Sequence, residues 1–256
     1  MTVKEIKTIL GDKHLSKSRG QSLLLDENIA RKIAGLVSSE DYGEVLEIGP
    51  GLGIISRHLL KRGFHVIAVE IDKDFCAYLE TLDSEIICED FLKVKIDYSF
   101  PKVALGALPF SVSIPILNKI KDNRRKIKEW IFVLQKEVAE RITASPSTKP
   151  YSSLSILFNI LYDVECEFDI NPEAFFPRPD VISTVLKGVL KEEPIIEVTE
   201  DFEKFLKDIF RFRRKTIKNN LFDYYIDEVS LDLQRRAETL TKEEAVRLYR
   251  ECKHDK

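Results

Sequence analysis

Glu44-Val-Leu-Glu-Ile-Gly-Pro-Gly-Leu-Gly-Ile-Ile-Ser-Arg-His-Leu-Leu60 decides how this chain is read. Val45, Leu46 and Ile48 form a short apolar run. Gly49, Gly51 and Gly53 then fall at every second position, and Ile54, Ile55, Leu59 and Leu60 recur with helical spacing. The pattern predicts a buried strand, a glycine turn and a helix. Glycines serve where a backbone turns tightly and a ligand comes closer than a Cβ permits, so a small molecule is expected across this turn.

A dinucleotide-binding turn, G-x-G-x-x-G, would put its third glycine at position 54, which is Ile. A G-x-G-x-G turn preceded by Glu47 suits a ligand with an amino-acid end, whose ammonium wants a carboxylate and whose carboxylate wants backbone N–H groups. S-adenosylmethionine is such a ligand. The next apolar run, His65-Val-Ile-Ala-Val69, ends at Glu70, which is about twenty residues past the first glycine and so placed to hold a ribose diol. A third run, Glu85-Ile-Ile-Cys88, ends at Glu89-Asp90, where a carboxylate can accept from an adenine amine.

Working outward, strand and helix patterns alternate from Gly49 to Gln135. Strands are expected near 65–69, 85–88, 103–107 and 130–134, and helices near 73–82 and 114–121. That alternation argues a parallel sheet covered by helices on both faces, with ligands beyond the carboxyl ends of its strands. Upstream lies a basic cluster, Lys13, His14, Lys17 and Arg19, followed by Asp26 as N-cap of a helix with an Ile29, Ile33, Leu36 and Val37 face. Downstream, Val103-Ala-Leu-Gly-Ala-Leu-Pro-Phe110 runs a strand into a proline-stiffened loop with an aromatic face for a flat base, and Ser111 or Ser113 is placed to cap the next helix. Ala174-Phe-Phe-Pro-Arg-Pro179 repeats the theme, with Arg178 beside it, and Val181–Leu190 reads as a last strand. After Pro194 the pattern is wholly helical, which places a domain boundary at 192–196: a catalytic domain over 1–192 and a helical domain over 193–256. Within the second lies Phe210-Arg-Phe-Arg-Arg-Lys-Thr-Ile-Lys218, whose dense charge and interleaved aromatics suit a phosphate backbone.

With 44% hydrophobic and 32% charged residues and no long apolar run, the chain has the composition of a soluble globular protein. Its first twenty residues carry Lys and Asp where a signal peptide needs an apolar centre, so a cytoplasmic protein is expected. Cys76, Cys88, Cys166 and Cys252 are widely spaced, and neither a disulfide framework nor a metal site is expected. A net charge of -3 requires any nucleic-acid surface to be local.

Taken together the blocks resemble the ribosomal RNA small-subunit adenine-N6,N6-dimethyltransferase family, the KsgA type. They are Gly20-Gln21 to Asp26, Glu47 to Gly53, Val69-Glu70-Ile-Asp72, Asp90, Leu108-Pro-Phe110, Leu134-Gln-Lys-Glu137, Phe175 to Ser183 and Arg213-Arg-Lys-Thr216, in that order along nearly the whole chain. The resemblance implies an α/β, Rossmann-like, seven-stranded class I S-adenosylmethionine-dependent methyltransferase fold with a small all-helical C-terminal domain. It implies methyl transfer from S-adenosylmethionine to N6 of two adjacent adenosines in a small-subunit rRNA hairpin of a pre-ribosomal particle, by a monomer without metal. Ser22, Leu24, Glu47, Gly49, Gly51, Glu70, Asp90 and Ala107 are then the candidate cofactor contacts, and Ala107, Leu108, Pro109, Phe110 and Phe175 the catalytic set. The candidate RNA contacts are Lys17, Arg19, Lys136, Arg178, Arg211, Arg213, Arg214, Lys215 and Lys218.

Two departures stand out: Gln21-Ser-Leu-Leu24 replaces the family's Gln-Asn-Phe-Leu, and Ala107 stands where the family has the Asn preceding Leu-Pro-Phe. Ala107 supplies no side-chain acceptor for a target amine, which admits an alternative: an assembly factor that binds RNA and cofactor with weak or no methyl transfer. A large-subunit adenine methyltransferase is a second rival, and a nicotinamide oxidoreductase a more distant one.

Overall fold

The computed structural model describes residues 22–38, 43–97, 99–225 and 229–254, so Lys17 and Arg19 lie outside the described residues. The chain divides into two compact units. The first takes the described residues up to Lys136 together with Glu165–Val189, and the second takes Glu137–Val164 and the chain from Leu190 onward.

In chain order the first unit begins with β1 (Leu23–Leu24), α1 (Glu27–Gly35), β2 (Glu44–Ile48), α2 (Ile54–Lys61), β3 (His65–Glu70), α3 (Lys73–Leu79) and β4 (Glu85–Cys88). It continues with β5 (Val103–Ala107), α4 (Ser113–Asp122) and β6 (Glu129–Gln135). After α5 (Lys136–Thr143) and α6 (Ser153–Leu161) come β7 (Tyr162–Ile170), β8 (Phe175–Phe176) and β9 (Ser183–Leu190). Seven strands form one sheet in the order β4-β3-β2-β5-β6-β9-β7. The neighbours from β4 to β6 pair in parallel, and β9 lies antiparallel to β6. The expected seven-stranded, mostly parallel sheet is therefore present.

Its inner strands β2, β3 and β6 are buried on both faces, as continuous apolar runs require. On one face Val45, Val66, Val103, Leu105, Ile131, Val133 and Val185 join Ala30, Ile33 and Ala34 of α1 in a core cluster. Asp26 caps α1 as expected, accepting from Asn28 N at 2.8 Å and Ile29 N at 3.1 Å. The strand order reverses between β2 and β5, since the chain steps outward from β2 through β3 to β4 and then crosses back to β5. At such a switch point the loops beyond the carboxyl ends diverge and open a crevice.

Three expectations are corrected in detail. Neither Ser111 nor Ser113 caps α4: its N-cap residue is Val112, and the Ser113 hydroxyl donates to the Phe110 carbonyl at 3.2 Å. Cys76 and Cys88 form a disulfide, because α3 folds back over β3 and the neighbouring β4 and brings together residues whose spacing gives no hint of it. The region after Pro194 holds α7 (Glu200–Ile209), α8 (Ile217–Asn220) and α9 (Lys242–Glu251), but also two-residue strands β10 (Tyr224–Tyr225) and β11 (Lys253–His254), which pair with each other. Two residues carry no legible periodicity.

The second unit also departs from the boundary at 192–196, because residues 137–164 group with the C-terminal helices. The Tyr151 hydroxyl donates to the Leu240 carbonyl at 2.7 Å, and Ser147 N donates to the Glu238 carbonyl at 2.7 Å. Among the described residues no helix is long and apolar enough to cross a membrane.

Candidate active site

The glycine turn is tied to the end of β3. Gly49 N donates to the Val69 carbonyl at 2.9 Å, and Gly51 N donates to the Glu70 carboxylate at 3.1 Å. The other oxygen of that carboxylate accepts from Asp72 N at 2.9 Å. Burial raises the pKa of Glu70, while these N–H donors pull it back down. Gly49, Gly51 and Gly53 all have positive φ, 67°, 59° and 69°, which favours glycine at each. They differ in what a side chain would meet. A Cβ on Gly51 would lie 2.6 Å from Leu23, whereas one on Gly49 would meet nothing within 4 Å. Gly49 therefore leaves open ground at the carboxyl edge of β2, which is where a ligand needs it.

Glu47 lies behind the turn, almost fully buried, and accepts from the Ser56 hydroxyl at 2.5 Å. Burial pushes its pKa up to about 7, the Ser56 hydroxyl holds it down in part, and the nearby Glu70 carboxylate adds to the rise. Asp90, beyond the end of β4, accepts from Leu92 N at 2.9 Å. The loop after it is fixed by Lys119 of α4, whose ammonium donates to the carbonyls of Phe91 and Val94. Nothing in the sequence around Lys119 signals that task.

At the end of β5, Leu108 N donates to the Val133 carbonyl at 3.2 Å, which carries the Leu108-Pro109-Phe110 loop outward from the sheet. The Pro109 carbonyl already accepts from Val112 N at 3.1 Å in the turn that starts α4. The Leu108 carbonyl is thus the candidate acceptor of the pair. Gly106, just upstream, permits the arrangement: a Cβ there would sit 2.2 Å from the Ile48 carbonyl oxygen.

A cleft of about 400 Å³ joins these pieces within the first unit. Of the expected residues it gathers Ser22, Gly49, Gly51, Glu70, Asp90, Ala107, Leu108, Pro109, Phe110 and Phe175. Leu24 and Glu47 instead line a small adjoining recess with Gly49 and Ala107. The N-terminal segment reaches the cleft through a ladder no local pattern shows, in which Leu24 pairs with Phe175 and Leu23 with Phe176. Phe175 is 6% exposed and belongs to the core cluster on that side of the sheet.

An α/β sheet whose switch-point cleft joins a glycine turn, two strand-end carboxylates and a Leu-Pro-Phe loop invites comparison with known proteins. The ribosomal RNA adenine dimethylase family matches residues 13–253. The chain belongs to this family. Among curated relatives, the ribosomal RNA small subunit methyltransferase A of Thermotoga maritima is 39% identical over 242 residues, 92% of this chain and 84% of that protein. The protein of the same name from Flavobacterium johnsoniae is 35% identical, with 98% of each covered. Two solved structures share the fold. A dimethyladenosine transferase from Plasmodium falciparum matches 88% of this chain and 95% of its own, with a TM-score of 0.74 and 24% identity. The 23S rRNA methyltransferase ErmE matches 90% and 98%, with a TM-score of 0.71 and 23% identity.

Membership in the adenine dimethylase family, whose members are methyltransferases, implies use of S-adenosylmethionine and an rRNA substrate. The assembly-factor alternative rested on Ala107 alone, and neither the family match nor the relatives' names support it. Among the described residues no group of three or more His, Cys, Asp and Glu side chains is arranged to hold a metal.

The candidate RNA contacts are spread over both units. Lys136 pairs with Asp169 at 2.6 Å, and Arg178 with Glu173 at 2.8 Å. In the second unit Arg211, Arg213, Arg214, Lys215 and Lys218 are all exposed. Arg211 lies 6.0 Å from the ring centre of Phe212 and 5.8 Å from that of Phe222, both exposed. Arg213 donates to the Lys149 carbonyl at 2.5 Å. The sequence reading missed cleft residues Ile71, Phe75, Phe91, Ile116 and Ser183. Ile71 and Phe91 follow the two strand-end acids directly, a position that could have flagged them.

Proposed function

We propose that this protein transfers methyl groups from S-adenosylmethionine to N6 of two adjacent adenosines in a small-subunit rRNA hairpin during ribosome biogenesis. One observation carries the reading: a single cleft holds both the open ground at Gly49 and the Leu108-Pro109-Phe110 loop, so a methyl donor and a base can lie side by side. Gly49, Gly51, Glu70 and Asp90 hold the donor, and Glu47 faces its amino-acid end from the adjoining recess. When bound, S-adenosylmethionine supplies a methyl group already activated by its sulfonium.

The chain's own work is on the base. An adenine inside a stem must leave its stack to enter the cleft, and Phe110 and Phe175 offer aromatic surface to receive it. Its amine is a weak nucleophile because the nitrogen lone pair is delocalised into the ring. The Leu108 carbonyl accepts from N6 and draws that lone pair toward the nitrogen, and Ala107 contributes no side-chain acceptor. The exposed basic cluster at Arg211–Lys218, flanked by Phe212 and Phe222, suits contact with the RNA backbone and unpaired bases.

The deciding experiment is transfer of tritiated methyl groups to 30S particles lacking the modification, followed by nucleoside identification. Dimethyladenosine at two adjacent positions is expected. Label in large-subunit rRNA alone when 50S particles are offered in parallel, or in no RNA, would overturn the reading.

A further inference from the structure

Ser183 opens β9. It is fully buried, it lines the cleft, and its hydroxyl oxygen has no hydrogen-bond partner among the described residues. Its neighbours make that unusual. In the sheet Ser183 lies opposite Gln135, Val185 opposite Val133, and Val133 beside Ala107. Residues two apart on a strand share a face, so Ser183 continues the face that carries Val185, Val133 and Ala107, all part of or packed on the apolar core. A buried hydroxyl in such a row is costly unless something bonds it, and Ala or Val would carry no such cost.

The position says what the partner is. The glycine turn, Glu70 and Asp90 provide the polar groups at the cofactor end. Ser183 belongs to the other end, because the Val133 carbonyl on the intervening strand accepts the N–H of Leu108 and so holds the Leu-Pro-Phe loop. Resting on the methyl-transfer reading, we propose that Ser183 Oγ hydrogen-bonds the amino edge of the target adenine. A hydroxyl both donates and accepts and can rotate between the two. It accepts from an N6–H of the unmodified base, and it can turn to donate to the adjacent ring nitrogen as methyl groups replace those hydrogens. A fixed acceptor loses its partner as methylation proceeds, whereas a hydroxyl keeps one. Ser183 thereby provides side-chain recognition that Ala107 cannot.

The test compares wild type with Ser183→Ala and Ser183→Cys, the second keeping the volume but giving up a strong hydrogen bond. Methyl transfer to unmethylated 30S particles, the ratio of dimethyl- to monomethyladenosine, S-adenosylhomocysteine affinity and Tm are measured on each. Both variants are expected to lose about tenfold in kcat/KM and to shift product toward monomethyladenosine. S-adenosylhomocysteine affinity should hold, and Tm should stay level or rise for Ser183→Ala, since an unpaired buried hydroxyl is gone. An active wild type with either variant equally fast and equally complete would overturn the Ser183 assignment alone. So would a drop in Tm together with cofactor affinity, which marks a structural role. A wild type that transfers no methyl group overturns the function reading and this assignment with it.

Discussion

The two ends of the cleft are built on opposite plans. At the glycine end every group is tied down. Both Glu70 oxygens accept backbone N–H groups, Glu47 is bonded by Ser56, and Lys119 pins the loop after Asp90. At the Leu-Pro-Phe end the polar groups are few. Two carbonyls of the loop, those of Pro109 and Phe110, are spent on the start of α4, position 107 is a methyl group, and the Ser183 hydroxyl is unpartnered among the described residues. Preformed hydrogen bonds lower the ordering cost of binding a ligand that is the same every time. Groups left to be satisfied by the substrate favour the complex in which the reacting base sits correctly. The contrast teaches that cofactor binding is preorganised in this chain, while recognition of the base is completed only by the base.

The two ends meet at Gly106, and the largest effect is expected there. Gly106→Ala sets a Cβ against the Ile48 carbonyl, a backbone atom that cannot swing aside. Forcing β2 and β5 apart should cost about 3 kcal/mol or more, beyond ordinary overpacking, with a fall in Tm and loss of S-adenosylhomocysteine binding in calorimetry. A variant with wild-type Tm and affinity would show that the strand ends are free to separate and that the two halves are not rigidly joined.

A smaller effect tests how fully the glycine end is preorganised. Burial holds the Glu47 pKa at about 7 in the folded chain, against an ordinary glutamate value of 4.5. Below the lower value the carboxyl is protonated in both states and exerts no effect. Between the two the unfolded chain ionises while the folded one keeps its proton, so stability falls as pH rises and levels off above about 7. The full span corresponds to about 3 kcal/mol for so buried a group. Part of it should appear as a lower Tm at pH 7.5 than at pH 5, by a margin that shrinks in Glu47→Gln. Since the ligand's ammonium favours the ionised carboxylate, S-adenosylmethionine affinity should weaken by up to tenfold from pH 7.5 to pH 6. Affinity independent of pH in wild type would detach Glu47 from the amino-acid end.

The smallest effect concerns the sparse end. Ala107→Asn adds a side-chain acceptor beside the Leu108 carbonyl and should raise methyl transfer about threefold to tenfold, the latter about 1.4 kcal/mol of barrier, with little change in cofactor affinity. A slower Asn variant would mean that position 107 is too closely packed to admit the longer side chain, and that the sparse end is complete as it stands.

The sequence by itself determined the sheet, the glycine turn and the strand-end acids, because each is a local pattern: buried strands read as apolar runs, left-handed turns require glycine, and a strand's end follows from where its apolar run stops. The Leu108-Pro109-Phe110 loop was legible for the same reason, proline being a local constraint on the backbone. Tertiary structure alone decided what is brought together across long separations. It paired Leu24 with Phe175 and joined Cys76 to Cys88. It assigned residues 137–164 to the helical unit and set Gly106 against Ile48. Ser183 shows the limit most clearly. In sequence it is one small polar residue at the start of an apolar strand. Its lack of a partner depends on what surrounds it in space, and no periodicity records that.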